Sequence, residues 1–256
     1  MSMDAIDVER RHEDAWYDRA IAERFFEREG FRRLVLWNLD ALRRSVPLDR
    51  STRVLSVGCG LGDYEIALAP LVASIEAIDL SPRAVAEATR RAAALGIGNL
   101  RFTARAFQEF DCGPGSFDVV YALGVVHHLP GASDRTAFFR RVAHWLAPGG
   151  VLYIREPSAR GLPRRLAYRF FRDRCGIHSP NEEHLDPAAT AAEVFAAGFD
   201  TPRLEYTDVL GGPLPWLIAT RSSLVWSAVF AFDRAWLTVP GLRRVASQFS
   251  IAARRR

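Results

Sequence analysis

No lysine occurs anywhere in the 256 residues, so all 34 basic side chains are arginine. A replacement so complete reads first as the bias of a GC-rich genome, and the arginine count therefore does not by itself nominate an anion-binding protein. Against 30 acidic residues the formal net charge is only +4, small for a dedicated nucleic-acid binder. Cysteine is scarce. Cys59, Cys112 and Cys175 form no CxxC pair, and an odd count without a signal peptide excludes a disulfide framework and suggests a reducing, cytoplasmic setting. Long apolar runs are missing too: within the apolar segment 211–245 the longest uncharged stretch, 222–232, lies between Arg221 and Asp233 and falls far short of the roughly 20 residues a membrane-spanning helix requires. There is no internal repeat and no low-complexity linker. What is left is the composition of a globular protein, with enough length for one α/β domain and additions to it.

The chain is organised around VLSVGCGLGDYEIAL, residues 54–68. A buried strand is followed by a turn with Gly58, Gly60 and Gly62, then by a helix start with Ile66, Leu68 and Leu71 as apolar positions. Glycine is needed where the backbone turns tightly and a ligand approaches without meeting a Cβ, and the helix aims free N–H groups over the turn. The next apolar run, 74–78, ends in Asp79, and LSPRAV then starts a helix with Pro82 near its first position. An acid at the tip of the second strand is placed to accept both ribose hydroxyls of a nucleoside cofactor.

GCGLG resembles the GxGxG turn of class I S-adenosylmethionine-dependent methyltransferases more closely than the spacing of NAD enzymes, which add a third glycine or alanine beside a pyrophosphate. SFDVVYALGVVHHLP (116–130), WLAPGGVLYIREP (145–157) and AAGFDTPRLEY (196–206) follow in that family's order, so the resemblance covers 53–206, closest to the subgroup acting on small molecules and lipids. It implies an α/β, Rossmann-like, doubly wound seven-stranded sheet with an antiparallel last strand. It also implies S-adenosyl-L-methionine as cofactor, held by Gly58, Cys59, Gly60, Gly62, Asp79, Leu80, Ala106, Phe107 and Leu123. Where the family often carries an acid for the adenine amino group, this chain has Arg105. The Asn/Asp-Pro-Pro-aromatic string of enzymes that methylate base amines is missing after the fourth strand, which counts against a DNA or RNA amino-methyltransferase.

The expected division is an N-terminal helical cap over 1–46, the methyltransferase core over 47–210, an apolar helical insertion over 211–246, and a last strand with a basic tail over 247–256. The N-terminal helices are expected to split at Gly30, with DAWYD bringing Trp16 or Tyr17 over the site, although such an aromatic pair on an amphipathic helix is more often packing. The stretch 158–174 sets Leu162, Leu166, Phe170 and Phe171 against six arginines. A membrane surface, an anionic acceptor and a solvated helix with one buried stripe all fit it. The insertion suits an acceptor-pocket wall with Trp216 and Trp226, a dimer face, or a shallow membrane contact.

Methyl transfer from a sulfonium is an in-line displacement that asks for alignment, exclusion of water and, for a hydroxyl acceptor, removal of a proton. The candidates for that last task are His127, His128, Glu156 and His184, with His178 beside them; the histidines and acids of 178–184 match no metal-site spacing. The expected partner is a small or lipid-like, apolar acceptor, with peripheral membrane contact open. The alternatives are an RNA or protein methyltransferase using the arginine-rich stretch, and a non-catalytic adaptor that retains the cofactor fold.

Overall fold

The structure, a computed structural model, describes residues 3–166, 179 and 181–256; Cys175, His178, Phe170 and Phe171 lie outside them. Seven strands, β1 (Arg53–Val57), β2 (Ser74–Asp79), β3 (Leu100–Ala104), β4 (Phe117–Leu123), β5 (Leu146–Pro157), β6 (Arg203–Asp208) and β7 (Gln248–Arg254), make one sheet. Their order is β3-β2-β1-β4-β5-β7-β6. The first five pair in parallel, while β7 runs antiparallel between β5 and β6. The strand order reverses between β1 and β4, which opens a crevice beyond their carboxyl ends.

Parallel strands covered on both faces must be apolar on both. On β4, Val119 and Tyr121 face Leu39, Leu42 and Leu68, while Val120 and Ala122 face Phe138, Phe139, Val142 and Trp145. The helices that supply these contacts are α2 (Glu29–Ser45) and α3 (Asp63–Leu68) on the first side and α5 (Gly131–Trp145) on the second. Local chemistry sets the ends of the crossover helices. At α4 (Pro82–Ala94), Ser81 accepts from the Ala84 N–H and Pro82 fills the first position; at α6 (Pro187–Ala196), Asp186 accepts from Ala188 and Ala189.

The two additions to the core form one body. Helix α1 (Met3–Ala22) and α2 contribute Trp16, Ala20, Phe31 and Leu34, with Phe25 from the turn between them, and the insertion contributes Trp226 and Phe230 from α8 (Ser223–Leu237), which follows the short α7 (Leu214–Leu217). The helical break precedes Gly30 instead of falling on it: a 3-10 turn at Phe25–Glu27 separates the helices, and Gly30 lies inside α2. A Cβ on Gly30 would stand 2.4 Å from Cζ2 of Trp226. Glycine is there to let the indole seat against the helix, not to end it. Trp226 is fully buried against α2 and gives its Nε1–H to the Thr220 carbonyl, so it packs the cap and does not wall an acceptor pocket.

Candidate active site

Two cavities meet over the carboxyl ends of β1, β2 and β4. The smaller, about 160 Å³, is lined by Asp79, Leu80, Arg105, Ala106 and Phe107. The larger, about 320 Å³, runs between the sheet edge and the cap, past Trp16, Phe26, Phe31, Leu34, Trp216 and Leu217 to Asn38, Tyr64, Arg155 and Gln248. Gly58, Leu123, Gly124 and, in the turn after β4, His128 on the sheet side, with Glu13 and Tyr17 on the cap side, line both. These shared residues form the neck between the two chambers.

The glycine turn makes the floor. Gly58 and Gly60 hold φ of +73° and +52°, and added Cβ atoms would meet Val125 Cγ2 at 2.3 Å and the Tyr17 hydroxyl at 2.7 Å. A cradle closed to side chains on both glycines fits a ligand that lies flat on backbone. The Asp79 carboxylate accepts from the Gly60 N–H at 2.7 Å and from the Ser81 N–H at 2.9 Å, which ties the tip of β2 to the turn after β1. Burial pushes its carboxyl up, and those two backbone donors oppose the shift. Each oxygen keeps a lone pair for a ribose hydroxyl. Cys59 lines the larger chamber, its thiol pushed up by burial. Gly62 does not reach either chamber: a Cβ there would meet Phe102 and Ala88, so it serves helix-to-strand packing.

Helix α1 is fastened across the top. Asp14 accepts from the Ser81 hydroxyl and from the Arg83 N–H at 3.2 Å, and Asp18 pairs with Arg83 at 2.5 Å. That attachment places Glu13 and Tyr17 above the neck. Desolvation holds the Tyr17 phenol neutral, with its pKa well above the usual value.

Of the four proton-moving candidates, the structure brings two to the chambers. His128 lines both, with Nδ1 2.8 Å from Glu9 and 3.1 Å from the Ser179 hydroxyl. Burial opposes its charge, but the Glu9 hydrogen bond and the carboxylates of Glu13 and Glu182 prevail and raise its pKa to about 9. His127 lines the larger chamber only; burial keeps it neutral, with its pKa well below the usual value. Its Nδ1 sits 2.7 Å from Glu156. Glu156 is fully buried, lines neither chamber and accepts the N–H groups of Val125, Val126 and His127, so it braces the turn after β4 from beneath. His184 is exposed and lines neither chamber. Donor atoms of Glu9, Glu13 and His128, and of His127, His128 and Glu182, lie within 4.8 Å of one another. Nδ1 of His128 is committed to Glu9, and the charged imidazole offsets the carboxylates around it.

Glu13 is the site residue that sequence reasoning missed. Its signal was a helix whose buried stripe of Ile6, Glu9, Trp16 and Ala20 repeats every third or fourth residue and passes through Glu13, so two carboxylates occupy positions that packing alone would give to apolar side chains.

Residues 54–150 match the family described as methyltransferase domain. The chain is 32% identical over 149 residues to the ubiquinone biosynthesis O-methyltransferase of Xanthomonas campestris pv. campestris strain B100, covering 55% of this chain and 60% of that protein. It is 33% identical over 129 residues to the 27-O-demethylrifamycin SV methyltransferase of Amycolatopsis mediterranei, covering 48% and 46%. The matches thus span about half the length of these curated relatives. Among solved structures it superposes on Haemonchus contortus phosphoethanolamine N-methyltransferase 2 in complex with S-adenosyl-L-methionine, with a TM-score of 0.60, 18% identity, and 85% and 52% of the two chains covered.

Proposed function

From residues 54–150, which belong to the methyltransferase domain family, and a seven-stranded sheet of the class I S-adenosylmethionine-dependent fold, we propose that this chain methylates a small acceptor. S-adenosylmethionine, when bound, supplies a methyl group already activated by the positive sulfonium. The rest falls to the protein's own residues. The observation that carries the reading is the confluence of two chambers of different chemistry at the glycine turn. The smaller, with Asp79, Leu80, Ala106 and Phe107, suits an adenosine; the larger, walled by Trp16, Phe26, Phe31 and Trp216, suits an apolar or lipid-like acceptor of aromatic or isoprenoid character.

In this reading Asp79 takes the ribose hydroxyls, and Gly58 and Gly60 let the methionine end lie on the backbone. Tyr17 closes over the turn and excludes water. The acceptor and donor meet at the neck, where His128 carries a positive charge that offsets the surrounding carboxylates, and His127 and Glu156 hold its turn in place. An oxygen acceptor is favoured, because both relatives described above are named as acting in O-methylation.

The test is calorimetric titration of S-adenosylhomocysteine. Micromolar binding is expected in the wild type, weakened by roughly 100-fold or more in Asp79→Ala, since a buried carboxylate's charge-assisted bonds are worth about 1.5–3 kcal/mol each. No binding to the wild type would reject the reading.

A peripheral membrane contact is the second reading. Leu224, Val225, Phe232, Val239 and Leu242 are exposed on and just after α8, interleaved with exposed Arg221, Arg234, Arg243 and Arg244. An apolar patch flanked by arginine suits a shallow seat on an anionic bilayer. Flotation with anionic vesicles tests it.

A further inference from the structure

A hydroxyl acceptor must lose its proton as it is methylated, and the groups able to take it are few. The reaction can occur only where donor and acceptor meet, which is the neck lined by Glu13, Tyr17, His128, Gly58, Leu123 and Gly124. Tyr17 keeps its proton, and His128 is already charged and bonded to Glu9. His127 lies in the larger chamber and gives its Nδ1 side to Glu156. Glu13 remains. It projects from α1 into both chambers, and no hydrogen bond from the described residues reaches its carboxylate. A carboxylate to which no described residue donates, held where the two chambers join, is an acceptor open to a ligand's donor.

We propose that Glu13 is the general base of this chain, taking the proton of an acceptor hydroxyl at the neck. The inference rests on the methyltransferase reading above. The acceptor's O–H bond breaks as its oxygen forms the O–CH3 bond; the proton passes to Glu13, the carbon–sulfur electron pair stays on sulfur, and Glu13 later releases the proton to solvent. Burial, then the charges of Asp79, Glu9 and Glu182, raise the Glu13 carboxyl to about 7, with His128 opposing; Tyr17 faces it as a neutral group. A base poised near neutrality combines adequate ionisation with adequate strength.

The assignment has a readout that needs no turnover. Protein saturated with S-adenosylhomocysteine is titrated with 2-naphthol, a neutral aromatic hydroxyl throughout pH 6 to 8, and with its methyl ether as control. A carboxylate accepts a hydrogen bond more strongly than a carboxyl group does, so naphthol affinity should rise about tenfold as pH climbs through the range where Glu13 ionises. The rise should be absent for the ether and absent in Glu13→Gln. The glutamine variant should also gain stability over wild type progressively as pH rises from about 4.5 to about 7 and keep that gain at pH 8, because a carboxyl with a raised folded-state pKa costs stability between its unfolded and its folded pKa. A pH step that persists in Glu13→Gln and disappears in His127→Asn would hand the role to His127 and overturn the assignment. A flat profile in the wild type, no naphthol binding in the millimolar range, or a step lost with chelator and restored by Mg²⁺ would also overturn it. S-adenosylhomocysteine affinity is measured first in the same samples: its loss in wild type sinks the methyltransferase reading, whereas intact affinity with no step sinks only Glu13.

Discussion

At the scale of single residues, the neck is governed by a contest between desolvation and pairing. His128 and Glu9 resolve it as an ion pair. The imidazole's folded-state pKa, about 9, lies above its ordinary value, so its contribution to stability is complete below about pH 6.5 and fades as pH rises through about 9. Glu9 moves the other way, held down chiefly by His128 against its own burial, so its share disappears as pH falls below the ordinary carboxylate range. We expect the His128 ring signals to titrate near 9 by NMR, and Glu9→Gln to return the midpoint towards 6.5. A midpoint in Glu9→Gln equal to wild type would show that Glu9 does not hold the charge. Glu65 resolves the contest differently. Buried beneath the glycine turn, it accepts from Ser56 at 2.5 Å and Tyr121 at 2.6 Å, and burial raises it to about 7, so it braces the turn through two hydroxyl donors and no cationic partner.

At the scale of elements, Gly30 and Trp226 are one feature written in two distant places. Helix propensity alone predicts that Gly30→Ala would stabilise α2 by about 1 kcal/mol. The 2.4 Å approach of a new Cβ to the indole predicts a loss of about 1–3 kcal/mol from overpacking, which wins. Thermal melts should show Gly30→Ala below wild type, and Trp226→Ala should cost about 3–5 kcal/mol through the cavity it leaves. Trp216→Ala, by contrast, removes a wall of the larger chamber and should weaken naphthol binding with less loss of stability. The sequence made the core strands, the glycine turn and Asp79 legible because their signals are local: continuous apolar runs, a tight turn, an acid at a strand tip. The cap was legible only as helices. Its assembly depends on Trp226 seating against Gly30 across nearly the whole length of the chain, and no window of neighbouring residues carries that. For the same reason Gly30 read as a helix breaker and Trp226 as a wall of the acceptor pocket.

At the scale of the whole molecule, the cap covers one side of the chambers and leaves the apolar residues of α8 on the outside. No described helix is long and apolar enough to cross a membrane; the contact proposed above is a shallow one that uses charge as well as area. Flotation with vesicles containing anionic lipid should carry the protein upward at low salt. Raising the salt should release it, since each arginine near the surface contributes on the order of 1 kcal/mol that screening removes. Leu224→Asp with Phe232→Asp should abolish flotation while S-adenosylhomocysteine affinity stays within about twofold. Equal flotation with purely zwitterionic vesicles would reject the charged seat.

The insertion leaves and rejoins the sheet at nearly one point. Ser247 gives its N–H to the Asp208 carbonyl at 2.8 Å and its hydroxyl to the Val209 carbonyl at 2.6 Å, and Asp233 gathers the N–H groups of Val209, Leu210 and Gly211. A segment whose two ends are already clasped can change length at little entropic cost, because loop closure grows only with the logarithm of length. It is in effect an exchangeable cassette. Lineages sharing this donor-binding floor could trade the stretch between the clasped ends and acquire a new clientele of acceptors without renegotiating any strand of the sheet.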